Sequence, residues 1–355
     1  MVSSTKKQSK RATIRDVADV AQVSVTTVSN ALNGRTEAMT GETLQRIQQA
    51  IDALSYRPSN VARSLVTQQT ATIGVIIAEI DTTLFLQALA IIEPIARTAN
   101  YNILLSTVSA DLHDEADAVD ILVEKQVEGI VYLSTSAHLS DDYLAKLPPS
   151  LPPMVLINRS TASNERFDYL DFDNVAGLVD AVDYLVRLGH RHIAHMSGAP
   201  AKKSTTERIE GYKLGLARHG LEFRPDYLRP GCLETTGQVS EDACLELLAL
   251  SPRPTAIIAA TDIVGAYVLR TIQRAGLRVP DDISVIGVDD QPLCTYLNPA
   301  LTTVRMPIAE AGQLAIEMLL ARIAGAGEQT RHITMPCPLI VRESTSMAVE
   351  AVPLG

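Results

Sequence analysis

The sequence predicts a small N-terminal all-α helix-turn-helix domain, followed by a large α/β core of two doubly wound parallel-sheet lobes. Three observations lead there. Residues 1–65 hold nine Lys/Arg against five Asp/Glu, while the remaining residues hold 22 against 36. Apolar residues recur at helical spacing in three short runs between Thr13 and Leu54. From residue 71 onward, apolar strands alternate with amphipathic helices, the pattern of parallel sheets covered on both faces. A basic head on an acidic body marks the head alone as the part that meets a polyanion.

Composition narrows the classes further. A chain of 355 residues is long enough for two or three domains with real cores. No apolar run approaches the ~18 residues that span a bilayer. Residues 1–11 are polar and basic with no apolar segment behind them, which reads as a flexible tail and not a secretory signal. Cys232, Cys244, Cys294 and Cys337 lack the paired spacing of a zinc site or a disulfide framework. A cytoplasmic, nucleoid-associated location, no cofactor and no metal are the expectations.

Within residues 12–56, the expected DNA-binding domain, each helix carries its own signals. Thr13 with Asp16 three residues later reads as a capping box, and Ile14, Val17, Ala18 and Ala21 form one face. Gln22-Val23-Ser24 interrupts, and Ser24 caps a second helix from Val25 to Leu32. Asn33-Gly34 supplies a left-handed exit. A third helix runs from about Gly41 to Leu54 behind Thr40. On the second helix, Val25, Thr26, Ser29, Asn30 and Asn33 share one arc of about 140°, leaving Val28, Ala31 and Leu32 to pack inward. Such a short polar face suits a major groove, where Asn pairs with adenine and a Thr methyl meets thymine. The alternative is a small helical subdomain with a polar outer side.

The stretch from Ala12 to Gly34, ATIRDVADVAQVSVTTVSNALNG, resembles the DNA-binding head of the LacI/GalR family of bacterial transcription regulators. Leu54 to Leu65, LSYRPSNVARSL, resembles that family's hinge. The resemblance implies that Val25, Thr26 and Asn30 read base edges and that Ser24, Thr27 and Ser29 touch phosphate. It also places Asn60 and Leu65 at the DNA, with Leu65 wedged into the minor groove. Residues 57–70 are expected to form hinge helix and linker, too short to fold alone. Gln22 stands where a glycine usually makes the turn, at a cost of about 1 kcal/mol if left-handed.

In the core, strands are expected at Ile73–Ile80, Tyr101–Thr107, Gly129–Leu133, Met154–Ile157, Tyr169–Phe172, His192–Met196, Ala256–Ala260 and Ser284–Val288. Helices are expected at Phe85–Ala99 and Val175–Leu188. Ligands of such folds gather at the carboxyl ends of strands. Those ends read Asp81, Asn158 with Arg159, Ser197, Thr261 with Asp262, and Asp289 with Asp290, a ring suited to a polyhydroxylated molecule. Charged strand ends are also ordinary solubilising features.

The core is similar to the periplasmic-binding-protein-like, sugar-binding core of the same family. The segments VLINR from Val155, DNVAG from Asp173, LGHRHI from Leu188, ERIEGY from Glu207 and PDDISVIGVDD from Pro280 carry the likeness. It implies an effector site of Phe85, Asn158, Ser204, Arg208, Thr261 and Asp289, and three strands crossing between lobes. The expected extent is residues 71–346, with lobe one at 71–168 plus 291–320, lobe two at 169–290 plus 321–346, and a tail at 347–355. Thr261 stands where Asn is common, and Cys232 near where sugar-binding relatives place an aromatic platform.

No Gly-x-Ser-x-Gly elbow, phosphate loop or dinucleotide fingerprint is present. His190, His192 and His195 read as strand entry. The expectation is a homodimeric repressor without catalysis, binding a pseudo-palindromic operator and controlled by a small polar effector, a sugar first and a nucleoside-like, phosphorylated or other polar metabolite next. Leu86, Leu89, Ile92 and Ile95 form its candidate dimer face. A plain solute-binding protein, an enzyme on the same fold, and a regulator answering to a protein partner are the rivals.

Overall fold

A computed structural model describes residues 12–32, 34–37, 39–57, 69–78, 83–108, 112–133, 144, 146–148, 151–158, 166–200, 202–231, 237–326 and 329–348. The chain divides into two compact units, Met1–Thr70 and Ala71–Gly355.

Among its described residues the first unit has three helices, α1 (Ile14–Ala21), α2 (Val25–Leu32) and α3 (Gly41–Ala53). The capping box forms: the Asp16 amide donates to Thr13 Oγ1, and the Thr13 amide donates to Asp16 Oδ2 at 2.7 Å. Gln22 closes α1 in the left-handed region at φ +52°, so the non-glycine turn keeps the fold at the price of backbone strain. Val17, Ala18, Ala21, Val28, Ile47 and Ala50 are the buried centre. A core this small is marginal on its own, which is why the caps count.

The second unit holds two six-stranded sheets. The first consists of β1 (Thr72–Ala78), β2 (Asn102–Val108), β3 (Gly129–Leu133), β4 (Met154–Ile157), β5 (Asp168–Phe172) and β11 (His332–Met335), in the order β11-β5-β4-β3-β1-β2. The second consists of β6 (Ile193–Ser197), β7 (Leu228–Pro230), β8 (Ala256–Ala259), β9 (Ser284–Asp289), β10 (Thr302–Arg305) and β12 (Leu339–Ile340), in the order β12-β10-β9-β8-β6-β7. All pairings are parallel except β10 with β12. Strands such as β3, β4, β6, β8 and β9 are buried along their whole length, as strands covered on both faces must be.

Helices α4 (Thr83–Thr98), α5 (Leu112–Glu124) and α10 (Ile308–Ile323) belong to the first sheet; α6 (Asn174–Arg187), α7 (Lys203–Arg218), α8 (Gln238–Leu248) and α9 (Asp262–Arg274) belong to the second. No helix among the described residues is long and apolar enough to cross a membrane.

The lobes are divided differently from the sequence reading in three places. Residues 169–172 pair in the first sheet as β5, residues 302–305 in the second as β10, and residues 332–335 in the first as β11. The chain therefore crosses between sheets after β5, after β10 and after β11. Strand pairing decides these memberships, β5 with β4 and β11 and β10 with β9 and β12, and local pattern is blind to it. On the candidate dimer face, Ile92 is fully buried core, while Leu86 is exposed.

Candidate functional site

Two groups of candidate residues lie in separate units. On α2, Val28 is fully buried and turns the opposite side outward. Ser24, Val25 and Thr26 are exposed, while Thr27, Ser29 and Asn30 are half-buried. Ser24 Oγ accepts from the Thr27 amide at 3.0 Å and lies 2.8 Å from Thr27 Oγ1, so both hydroxyls stiffen the first turn of the helix. The run of β-branched residues is thus held by its cap and by Val28, against its own poor propensity. Asn33, Asn60 and Leu65 lie outside the described residues.

In the core, the carboxyl ends of the second sheet converge on one guanidinium. Arg208, on the second turn of α7, is buried. Its Nε donates to Asn174 Oδ1 at 3.0 Å and its Nη1 to the Ala260 carbonyl at 2.6 Å. Its Nη2 lies 3.8 Å from Asp289 Oδ1. Thr261 follows Ala260 and caps α9 by accepting from the Val264 amide. Ser204 sits one turn before Arg208 on the same helix, buried.

Asp289 ends β9 at φ +117° with Asp290 following at φ +57°, two consecutive non-glycine residues in a costly region. Burial pushes the Asp289 carboxyl up from its ordinary range, Arg208 pulls it back, and the neighbouring Asp262 adds repulsion. Gln291 Nε2 donates to Asp289 Oδ2 at 3.3 Å. Behind it, fully buried Asp262 accepts from Thr303 Oγ1 at 2.6 Å and from the Gln291 amide at 2.7 Å. Burial raises Asp262 as well, and those hydrogen bonds hold it down. The two acids are therefore wired to β10, the strand that leads back to the first lobe.

Asn158 stands in the other lobe, just past β4, half-buried at φ +61° with its amide donating to the Leu170 carbonyl. Phe85 is fully buried in the apolar core. Its ring, on the inner side of α4, gains more from apolar neighbours than from water. Asp81 and Arg159 lie outside the described residues.

Several polar partners were missed by sequence reasoning. Asn174 braces Arg208 and also donates to Glu207 Oε2 at 2.9 Å. Lys203 Nζ, in the second lobe, contacts Asp171 Oδ2 on β5 of the first at 2.5 Å and Glu207 Oε1 at 3.0 Å. The motif beginning Asp173-Asn174 was visible; its contact with Arg208 was not. His195 is fully buried, with Nδ1 donating to the Ile258 carbonyl at 2.9 Å and Nε2 unpartnered. Burial lowers its pKa from 6.5 to about 4, with Arg208 contributing. No group of three or more His, Cys, Asp and Glu among the described residues is arranged to hold a metal ion.

A three-helix head with an exposed polar helix, joined to two like-ordered parallel sheets whose strand ends meet a buried Arg–Asp pair, defines a ligand-responsive DNA-binding protein. Residues 13–59 match the family of bacterial regulatory proteins of the lacI type, and residues 182–345 match the periplasmic binding protein-like domain. The HTH-type transcriptional repressor PurR of Photobacterium profundum is 33% identical over 334 residues, covering 94% of this chain and 98% of the relative. A lac repressor dimer bound to operator and an anti-inducer matches with a TM-score of 0.83 at 26% identity, covering 95% of this chain and 100% of that one. A transcriptional regulator CelR–cellobiose complex matches with a TM-score of 0.69 at 27% identity, covering 94% of this chain and 100% of that one. The chain belongs to the LacI family of transcriptional regulators, with a DNA-binding helix-turn-helix head and an effector-binding core.

Proposed function

We propose that this protein is a homodimeric repressor whose hold on a pseudo-palindromic operator is set by a small polar metabolite bound between the lobes. The buried Arg208–Asp289 pair at the strand ends carries this reading. Two charged groups removed from water and incompletely paired are costly as structure, and useful for recognising hydroxyls. Asn158, Ser204, Arg208, Thr261 and Asp289 make the effector contacts, with Phe85 backing the site from the core. Val25, Thr26 and Asn30 read bases, Ser24, Thr27 and Ser29 touch phosphate, and Asn60 and Leu65 act at the hinge.

The CelR–cellobiose complex supports a small polar effector, and the lac repressor dimer bound to operator supports a two-fold assembly reading two half-sites. The protein works without catalysis, in the cytoplasm at the nucleoid. Effector and operator are coupled by about 1–3 kcal/mol, a 5–150-fold change in affinity.

Selection of genomic fragments by the purified full-length protein tests the proposal. The expected outcome is enrichment of pseudo-palindromic sites whose affinity falls steeply with salt, since phosphate contacts release counterions. Leu65→Ala should weaken those sites. Fragments recovered without sequence preference would refute the reading.

A further inference from the structure

The chain enters the core at Ala71, the first residue of the second compact unit and the one that precedes β1. Ala71 stands at φ +48°, in the left-handed region. Other non-glycine residues at positive φ among those described are Asn, Asp, Gln or Ser; Ala71 alone has no polar side chain. Its Cβ is crowded by a carbonyl oxygen in that conformation, so alanine leaves it unless something holds it there.

Both backbone polar groups of Ala71 are held. Its amide donates to Glu128 Oε1 at 2.7 Å, and its carbonyl accepts from the Asn102 amide at 2.8 Å. Asn102 opens β2 on one side of β1, and Glu128 immediately precedes β3 on the other. The Glu128 amide donates to the Thr72 carbonyl at 2.8 Å, and Glu128 Oε2 accepts from the Tyr101 hydroxyl at 3.1 Å. The ladder between β1 and β3 begins at Ile73 opposite Gly129. The Glu128 side chain extends that hold two residues back, to Ala71, with a bond onto a carboxylate, which is stronger than one between neutral groups.

Position gives this clamp a use. Strand β1 lies between β2 and β3, with Ile73, Val75, Ile76 and Ile77 fully buried and β3 buried along its length. Close-packed strands of this kind move as one body. Asn158 follows the carboxyl end of β4, whereas Ala71 sits at the amino edge of the same sheet. A change in the pose of this lobe travels along the chain to residue 70 through the Ala71 backbone. With Ala71 pinned, the turn is passed on. With Ala71 free, relaxation out of the left-handed region absorbs it as a swivel.

We infer that Glu128 is a positioning residue for control of DNA binding, fixing the direction in which the chain joins the core at Ala71. The inference rests on the operator and effector reading above and adds a residue outside both binding surfaces.

Operator affinity of the full-length protein tests it, measured on the fragment preferred in genomic selection, with and without deproteinised cell extract. Parent, Glu128→Ala, Glu128→Gln and Tyr101→Phe are compared. Thermal unfolding with and without the extract reports effector binding in the absence of DNA. Glu128→Ala should weaken operator binding about tenfold and cut its response to extract to less than about twofold. The extract should still raise its unfolding midpoint as in the parent. Glu128→Gln keeps an oxygen for the Ala71 amide and should restore both readouts to within about threefold. Tyr101→Phe removes a bond to the same carboxylate but leaves Ala71 held, so it should stay within about twofold of the parent.

Unchanged affinity and response in Glu128→Ala overturn the inference. So does an equal loss in Tyr101→Phe, or a failure of Glu128→Gln to restore, either of which traces the loss to a general loosening of the lobe. A lost thermal response in Glu128→Ala overturns it too, by placing the damage at the effector site. A parent protein that ignores the extract removes the effector reading and leaves Glu128 judged on operator affinity alone. A parent that prefers no fragment removes the operator reading and the inference with it.

Discussion

The two lobes of the core share one strand order and differ in what they bury. In each, the first strand lies between the second and third, and the remaining strands follow outward. The first lobe is filled with Ile76, Leu122, Ile130, Tyr132 and Leu156, and its buried acid Asp168 is fully matched by Arg322 and the Arg331 amide. The second lobe buries His190, His195, Arg208, Asp262 and Asp289 among its apolar residues. The same fold thus serves two purposes, one half supplying rigidity and the other a polar interior whose groups are incompletely satisfied. Buried charge that is only partly paired is costly as structure, which suits the second lobe to the effector contacts proposed above.

Substitutions should separate the two roles. The largest stability effect is expected in the first lobe: Leu122→Ala deletes buried methyls against Gly74 and should cost about 2–5 kcal/mol in denaturant unfolding, with effector affinity of the folded fraction unchanged. In the second lobe, Asp289→Ala should abolish the operator response to effector while operator binding itself persists, a loss of roughly 2–3 kcal/mol in effector binding read by titration. Equal damage to both functions by either variant would break the comparison.

A smaller effect concerns protons. His195 is held neutral, its pKa lowered from 6.5 to about 4, and burial also lowers His190, which bonds Thr255 and the Ser346 carbonyl. A lowered histidine pKa means the unfolded chain binds more protons, so this contribution is complete above pH 6.5 and is lost as pH falls toward 4. His195→Leu should therefore flatten the acid side of the stability curve by roughly 3 kcal/mol, since each unit is about 1.4 kcal/mol. Asp262 and Asp289, with raised values, tilt the curve the opposite way, so the variant is compared with the parent at each pH.

The smallest effect lies outside both lobes. Gln22→Gly relieves the left-handed turn at φ +52° and should stabilise the head by about 1 kcal/mol, seen as a higher midpoint for its unfolding. An unchanged or lower midpoint would mean that the extra backbone entropy of glycine outweighs the strain.

How much of this was legible in the sequence follows the range of the forces. The head was read nearly to the residue, because Thr13–Asp16, Ser24–Thr27 and Thr40–Thr43 are contacts within one helical turn. Strands buried on both faces, such as β3 and β4, also announced themselves as continuous apolar runs. Strands β11 and β12 did not: they are short, only partly buried, and defined by distant partners. The residues of the site were named through a family resemblance, but their wiring was not. Nothing local says that Arg208 will bond the Ala260 carbonyl, or that Asp262 will take a hydrogen bond from Thr303, 41 positions later. That Phe85 would be fully buried was not legible either, since an aromatic residue early in a helix fits a ligand wall and a core equally well.

The central claim is that the second lobe's carboxylate converts a bound metabolite into a change in DNA affinity. Operator affinity measured with and without deproteinised cell extract, for the parent protein and Asp289→Asn side by side, tests it most directly. The account predicts a shift within the 5–150-fold range for the parent and none for the variant. An equal shift in both, or none in either, would contradict it.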